Sequence, residues 1–372
     1  MGSGYTDKNF ILKRLNSIQV LRACAGIGVV LYHMLIIEKK YSGGDLILPA
    51  FFKIGQAGVD LFFVISGFIM VTITILKTGT VIKTSGFLLH RFARIYPNYW
   101  FYFLLTFSVY FFAPGLVNSS QRNQFNFFTS FFLIPSGSLP LVLVGWSLIY
   151  EIYFYLVFAL LIKLKTVAVT AGLLTWLFVL VLINTFFPPF LNPFIRLLTS
   201  PYSIEFILGA FSAFLVRDAR LLSLSSKWLF TIILIVVLII PLLFFNFYSI
   251  YPDGLFKQCV VFGLLFSILV TALVLIEKQT DFQFPTLLIK VGDISYTIYL
   301  SHVLILGFTG RLWARYFQHP LQWWDNIIIF PLMLVAIISY ALVAYRLIEF
   351  PLYNFFVKLI SGKTTVRKNA RV

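Results

Sequence analysis

Charge is what this sequence has least of. Only 11% of its 372 residues are Asp, Glu, Lys or Arg, while 60% are hydrophobic and 19% aromatic. A soluble domain carries roughly a quarter charged residues, so this composition excludes a water-exposed globular domain and makes the bilayer the solvent. Cysteine is scarce too. Cys24 and Cys259 both lie in apolar stretches, which excludes a disulfide framework and a cysteine-based zinc motif, and both read as small core hydrophobes. There is no HExxH, no GxSxG elbow and no Walker run, so a covalent serine and an ATP-driven mechanism are without support and no metal is expected. Nor is a cleavable signal peptide expected: Met1 to Asn16 is polar, with Lys8, Lys13 and Arg14, and no small-residue cleavage pattern follows.

What the chain has instead is a series of apolar runs. About ten are long enough, at roughly 20 residues each, to cross a membrane as helices. The expected spans are 17–37, 55–76, 96–113, 141–162, 167–187, 197–216, 228–247, 256–276, 287–308 and 326–348. The segment Phe125 to Ile134 is too short to span and is expected to be re-entrant or interfacial. The formal charge of +16 sits in short loops between spans, the positive-inside pattern rather than a nucleic-acid-binding surface. With the N-terminus cytoplasmic, about 20 Lys and Arg fall inside and about 8 outside. The inner set includes Lys77, Lys83, Arg91 and Arg94, then Lys163 and Lys165, then Arg217, Arg220 and Lys227. The expectation is an all-α polytopic membrane protein with both termini cytoplasmic. It comprises a short N-terminal segment (1–16), one membrane domain (17–350) and a basic tail (351–372).

Ionisable groups at membrane depth are costly and mark function by default. Arg22 and His33 are eleven apart in the first span, QVLRACAGIGVVLYHML. Eleven steps are about three turns, so both face the same way with roughly 16 Å between their heights. Snorkelling of Arg22 and plain packing of His33 compete with a site; the shared face and the small residues Ala23, Ala25, Gly26 and Gly28 favour the site. Asp60, in GVDLFFVISGF, lies near the depth of His33 and is expected either to pair with it, fixing its tautomer, or to sit idle in a wet vestibule. Arg91 and Arg94, in the loop between the second and third spans at the membrane surface, are three apart and share a face if that segment is helical. Position alone reads them as ordinary positive-inside anchors, although paired guanidinium groups also suit phosphate. Glu151, in GWSLIYEIYFYL, needs a partner at mid-membrane, either an acceptor or Arg22. Glu205 is a similar case. His302, beside Ser301, lies near the depth of His33, and Asp293 lies closer to the cytoplasm. Arg346 and Glu349 are three apart and read as a local structural pair. His90 and His319 are assigned nothing.

These residues resemble acyltransferase family three, the integral membrane acyltransferases, in the branch acting on exopolysaccharides and O-antigens. The resemblance rests on six blocks in order: Arg22 with His33, Gly58 to Phe68, Arg91 to Pro97, Trp146 to Tyr155, Gly292 to His302, and Glu349 to Pro351. It implies a cytoplasmic acyl-coenzyme A donor, commonly acetyl-CoA, and a polysaccharide or lipid-linked carbohydrate acceptor at a bacterial inner membrane. It also implies a catalytic role for His33, an essential Arg22, and donor binding by Arg91 and Arg94, which displaces the anchoring reading of that pair.

On that footing His33, oriented by Asp60, is expected to take the proton of a sugar hydroxyl as it attacks the thioester; an acyl-His33 intermediate stays open. Glu151, Tyr150, Trp146, His302 and Ser301 are expected on the acceptor side, with Tyr150, Ser301 and His302 as candidate oxyanion donors. The partners expected are the glycan and membrane lipids, with a homodimer left open. Two rivals remain: a proton-coupled secondary transporter using Asp60, Glu151, His33 and His302, and a glycan flippase or polymerase.

Overall fold

The computed structural model describes residues 14–42, 46–76, 84–117, 125–164, 166–250, 254–316 and 323–361. Lys8, Lys13, Lys77, Lys83, Lys165, His319 and the last residues of the tail lie outside them. Every regular element among the described residues is helical, as hydrocarbon requires of a chain whose backbone groups must satisfy one another. Among the described residues seven helices are long and apolar enough to cross a membrane, or eight if one bent pair is counted as a single span.

The first helix, α1 (Asn16–Tyr41), is tied at both ends by carboxylates. Glu277 accepts the backbone N–H groups of Asn16 and Ser17 at 2.8 and 2.9 Å, which satisfies two orphan donors and places negative charge at the positive end of the helix dipole. At the far end Glu38 accepts the N–H groups of Ile47 and Leu48 at 2.7 and 3.0 Å and the Asn326 amide at 3.3 Å. Arg14, just before the helix, pairs with Asp293. The rotation and height of Arg22 and His33 are fixed by these ties.

A 3-10 segment (Ala50–Ala57) leads into α2 (Gly58–Val71). Then come α3 (Thr84–Phe112), the six-residue α4 (Phe127–Phe132), α5 (Gly145–Leu161) and α6 (Thr166–Phe186). They are followed by α7 (Pro193–Leu198), α8 (Tyr202–Leu215), the single turn α9 (Ala219–Leu222), α10 (Ser226–Ile250) and α11 (Leu255–Gln279). The chain ends with α12 (Thr286–Asp293), α13 (Ser295–Tyr316), α14 (Trp323–Ala344), a π-turn (Tyr345–Glu349) and α15 (Phe350–Ser361). The span around α2 is central, with 78% of its apolar window buried, against 17% for α6 and 22% for α10. The outward side chains of those two, such as Phe178 and Leu234, are exposed and suit lipid.

Three expectations about the spans are revised. The third helix begins at Thr84, not Tyr96, so Arg91 and Arg94 stand inside α3 rather than in a loop. Pro97 does not end it; Tyr296 donates to the Ile95 carbonyl beside the proline at 3.0 Å. Neither α3, which carries Pro97, Asn98 and several tyrosines, nor the 17-residue α5 qualifies as a full apolar span, so the expected ten spans are met by eight of that kind. The ninth run is broken at Ile294 into α12 and α13, bent by 71°. The chain from Phe350 is helical to Ser361. The Phe125–Ile134 segment holds α4, whose carbonyl ends are gripped by α3: Tyr99 donates to Ser130 at 2.5 Å, Trp100 to Phe131 at 3.0 Å and Tyr96 to Phe132 at 2.9 Å.

The tightest seam joins α2 to α8, where the backbones touch. A Cβ on Gly67 would meet the Phe206 carbonyl, and one on Gly209 the Val64 carbonyl. Small residues are what permit such helix approach when lipid supplies no hydrophobic drive. Gly209→Val is therefore expected to destabilise by about 3 kcal/mol or more and to remove folded protein in a detergent thermal melt. Gly86→Ala, with nothing near its Cβ, should raise stability by about 0.5 kcal/mol.

Candidate active site

Helices α1, α2, α3, α5 and α13 surround a cavity with about 710 Å³ of unfilled space, its open mouth included. Arg22 lines it from α1, Ser66 from α2, Arg91 and Arg94 from α3, Glu151 and Tyr155 from α5, and Tyr299 from α13. Three guanidinium groups from two helices thus converge, as the helical period places Arg91 and Arg94 on one face. Glu151 accepts from the Tyr155 hydroxyl and from Ser66 Oγ at 3.2 Å. Glu349, which accepts from the Thr297 hydroxyl, acts electrostatically with Glu151 on both Arg22 and Arg94. Three cations against two carboxylates leave the cavity positive. Arg22 is only 6% exposed, and its guanidinium donates no hydrogen bond to the described residues, so its donors face the open space. Arg91 lies 5.9 Å over the Phe87 ring and 5.8 Å over that of Tyr155, inside cation–π range.

At the other end of this face sit two histidines. His33 Nδ1 is 3.3 Å from His302 Nε2, with ring centroids 4.8 Å apart at 71°. Each Nδ1 also meets the carbonyl four residues earlier, Val29 for His33 at 2.9 Å and Ile298 for His302 at 3.1 Å. Tyr299 connects the cavity to the pair. Its hydroxyl is 2.6 Å from Ser147 Oγ on the cavity wall, and its ring centroid is 5.9 Å from that of His302.

Asp60 does not join His33. It is turned toward α8 and α11, where its carboxylate, that of Glu205 and the Cys259 thiol lie within 4.8 Å of one another. Gln258 Nε2 reaches Asp60 Oδ1 at 3.5 Å. The reason is register as well as azimuth: Gly55 meets Gly28 and Gly58 meets Ala25, so Asp60 stands on a turn well short of His33 and its side of α2 faces α8 and α11. Cys259 is accordingly part of a polar group, not a plain core hydrophobe, and Glu205 is fully buried with both oxygens unbonded. The packing of α2, α8 and α11 brings the two carboxyl groups and the thiol together.

Of the expected acceptor residues, Glu151 lines the cavity but Tyr150 and Trp146 do not. They pack on Tyr202, with centroids at 5.1 and 5.6 Å, because one step along a helix turns a side chain by about 100°. Ser301 is buried beside Tyr102, on a different side of α13 from His33. Glu349 serves Thr297 instead of Arg346. The π-turn at Tyr345–Glu349 disrupts the three-residue register, and Arg346 is left exposed. Sequence reasoning missed Tyr155, Tyr299, Ser66 and Thr297. Two of them had a signal: Tyr155 is four residues after Glu151 and Tyr299 three before His302, so each shares a face with a residue already singled out.

Comparisons with known proteins identify the family. The family described as an acyltransferase domain matches residues 15–346. The exopolysaccharide production protein ExoZ of Rhizobium meliloti (strain 1021) is 37% identical over 116 residues, 29% of this chain. That match spans 34% of the relative's own length. No solved structure matches. A bundle of membrane-capable helices around one positive cavity, matched by that family over nearly its whole length, belongs to acyltransferase family 3.

Proposed function

We propose that this membrane acyltransferase moves an acyl group, commonly acetyl, from cytoplasmic acyl-coenzyme A to a hydroxyl of a cell-surface or lipid-linked carbohydrate at a bacterial inner membrane. The observation that carries the reading is the convergence of Arg22, Arg91 and Arg94 on one cavity whose wall leads, through Tyr299, to the His33–His302 pair. Planar guanidinium forks bind phosphate oxygens two at a time, so Arg91 and Arg94 hold the diphosphate of the donor. Arg22, deeper along α1, meets the pantetheine arm. The roughly 16 Å between Arg22 and His33 is the distance the thioester end has to travel to meet an acceptor from the opposite side.

His33 takes the proton from the acceptor hydroxyl as its oxygen attacks the thioester carbonyl. The tetrahedral intermediate collapses with cleavage of the C–S bond, and the coenzyme A thiolate takes the proton back from His33. No net proton is consumed. Glu151 and Glu349 hold the arginines in place and limit their mutual repulsion. The carbohydrate acceptor is supported by the exopolysaccharide role in the name of the ExoZ relative.

Membranes containing the wild-type chain, given radiolabelled acetyl-coenzyme A, should label endogenous glycan. His33→Ala, at equal folded yield, should lower incorporation by about 100-fold or more; equal labelling would remove His33 as the base. Arg91→Gln and Arg94→Gln should each weaken binding of coenzyme A to the purified protein by about 10- to 100-fold, the worth of one charged hydrogen bond. A chain that binds no coenzyme A would turn the reading toward the transporter.

A further inference from the structure

Two imidazoles in contact leave few arrangements of their protons. A carbonyl oxygen only accepts, so a ring nitrogen facing one carries the hydrogen. Both Nδ1 atoms face backbone carbonyls of their own helices, Val29 and Ile298. In a neutral imidazole the other nitrogen is then bare. His302 Nε2 is therefore a lone pair, and it points at His33 Nδ1–H across 3.3 Å. The reverse arrangement, with His302 Nε2–H donating, would set the His302 Nδ1 lone pair against the Ile298 carbonyl.

We propose that His302 is the positioning residue of His33, occupying the place a carboxylate holds in most base–orienter pairs. The His33 Nδ1–H is shared between the Val29 carbonyl and His302 Nε2. That leaves His33 Nε2 as the bare nitrogen that takes the acceptor proton. As positive charge develops on His33 during transfer, the His302 lone pair supports the Nδ1–H that carries it, without placing a permanent charge in the membrane interior, which would cost about 3 kcal/mol. Exposure agrees with the order of the pair: His302 is fully buried, while His33 is half-buried and is the ring with access to a substrate. Asp60, engaged with Glu205, Cys259 and Gln258, is not available for this task. His302 thus moves from the acceptor side, where the sequence put it, to the back of the base.

The tautomer part of this inference stands without the acyltransferase reading; the rate part rests on it. The chain has four histidines, so nitrogen NMR of the purified, ¹⁵N-histidine-labelled full-length protein can assign each ring by single substitution. The expected result is hydrogen on Nδ1 and a bare Nε2 in both His33 and His302. A hydrogen on Nε2 of either neutral ring overturns the proposal whatever the protein catalyses. In the glycan-labelling assay, His302→Leu should lower kcat by about 10- to 100-fold, part of what a general base contributes, with KM for acetyl-coenzyme A within about twofold of wild type. His302→Gln, whose amide oxygen can accept the same hydrogen, should recover most of the loss. Equal loss in both variants at equal folded yield, or a loss carried by KM, would make His302 a packing residue and overturn the positioning role.

Discussion

Burying guanidinium groups inside a helical membrane bundle is the constraint on which the rest of the arrangement depends. A cation held away from water is tolerated only beside opposite charge or in a site that a ligand completes. Arg22 and Arg94 have Glu151 and Glu349 within electrostatic reach, and each carboxylate is itself held by hydroxyl donors, Tyr155 and Ser66 for one and Thr297 for the other. Helices α1, α3, α5, α13 and the π-turn must therefore keep their mutual rotations, or a charge is stranded. The excess of one positive charge among these five groups makes the cavity receptive to an anionic ligand while the carboxylates keep it foldable without one.

The surrounding architecture serves this demand. Carboxylates at both ends of α1 fix the helix that carries Arg22 and His33, so the vertical offset between them is a rigid length rather than an average. The glycine seam between α2 and α8 brings α2 to the centre, where Ser66 reaches Glu151. The bend between α12 and α13 lets Asp293 turn to Arg14 while α13 carries Tyr299 and His302 on toward His33. Residues far apart in the chain thus meet along one line, from Arg91 and Arg94 through Tyr299 to the paired imidazoles.

Much of this was legible in the sequence wherever a helical period alone decides the matter. Arg22 and His33, and Arg91 and Arg94, have spacings that fix a shared face, and the structure puts all three arginines on one cavity. What escaped depended on azimuth between helices. Asp60 and His33 match in depth only when counted from span ends; the contacts of Gly55 with Gly28 and Gly58 with Ala25 set a register that leaves Asp60 short of His33 and turned to Glu205. Pro97 and the polar residues around it imitate a membrane boundary, so the first turns of α3 read as a loop. Tyr155 and Tyr299 were hidden by abundance: with 19% of the chain aromatic, their helical spacing from Glu151 and His302 is a weak signal until their hydroxyl partners are seen. The break of α13 and the π-turn before α15 come from tertiary contacts that no local pattern announces.

The most direct measurement is an electron cryomicroscopy structure of the full chain in lipid nanodiscs with a non-hydrolysable thioether analogue of acetyl-coenzyme A. The diphosphate should lie against Arg91 and Arg94, the pantetheine arm along Arg22, and the acyl end past Tyr299 within reach of His33 Nε2. An analogue seated elsewhere, with those three arginines bare, would contradict the assignment of the cavity to the donor.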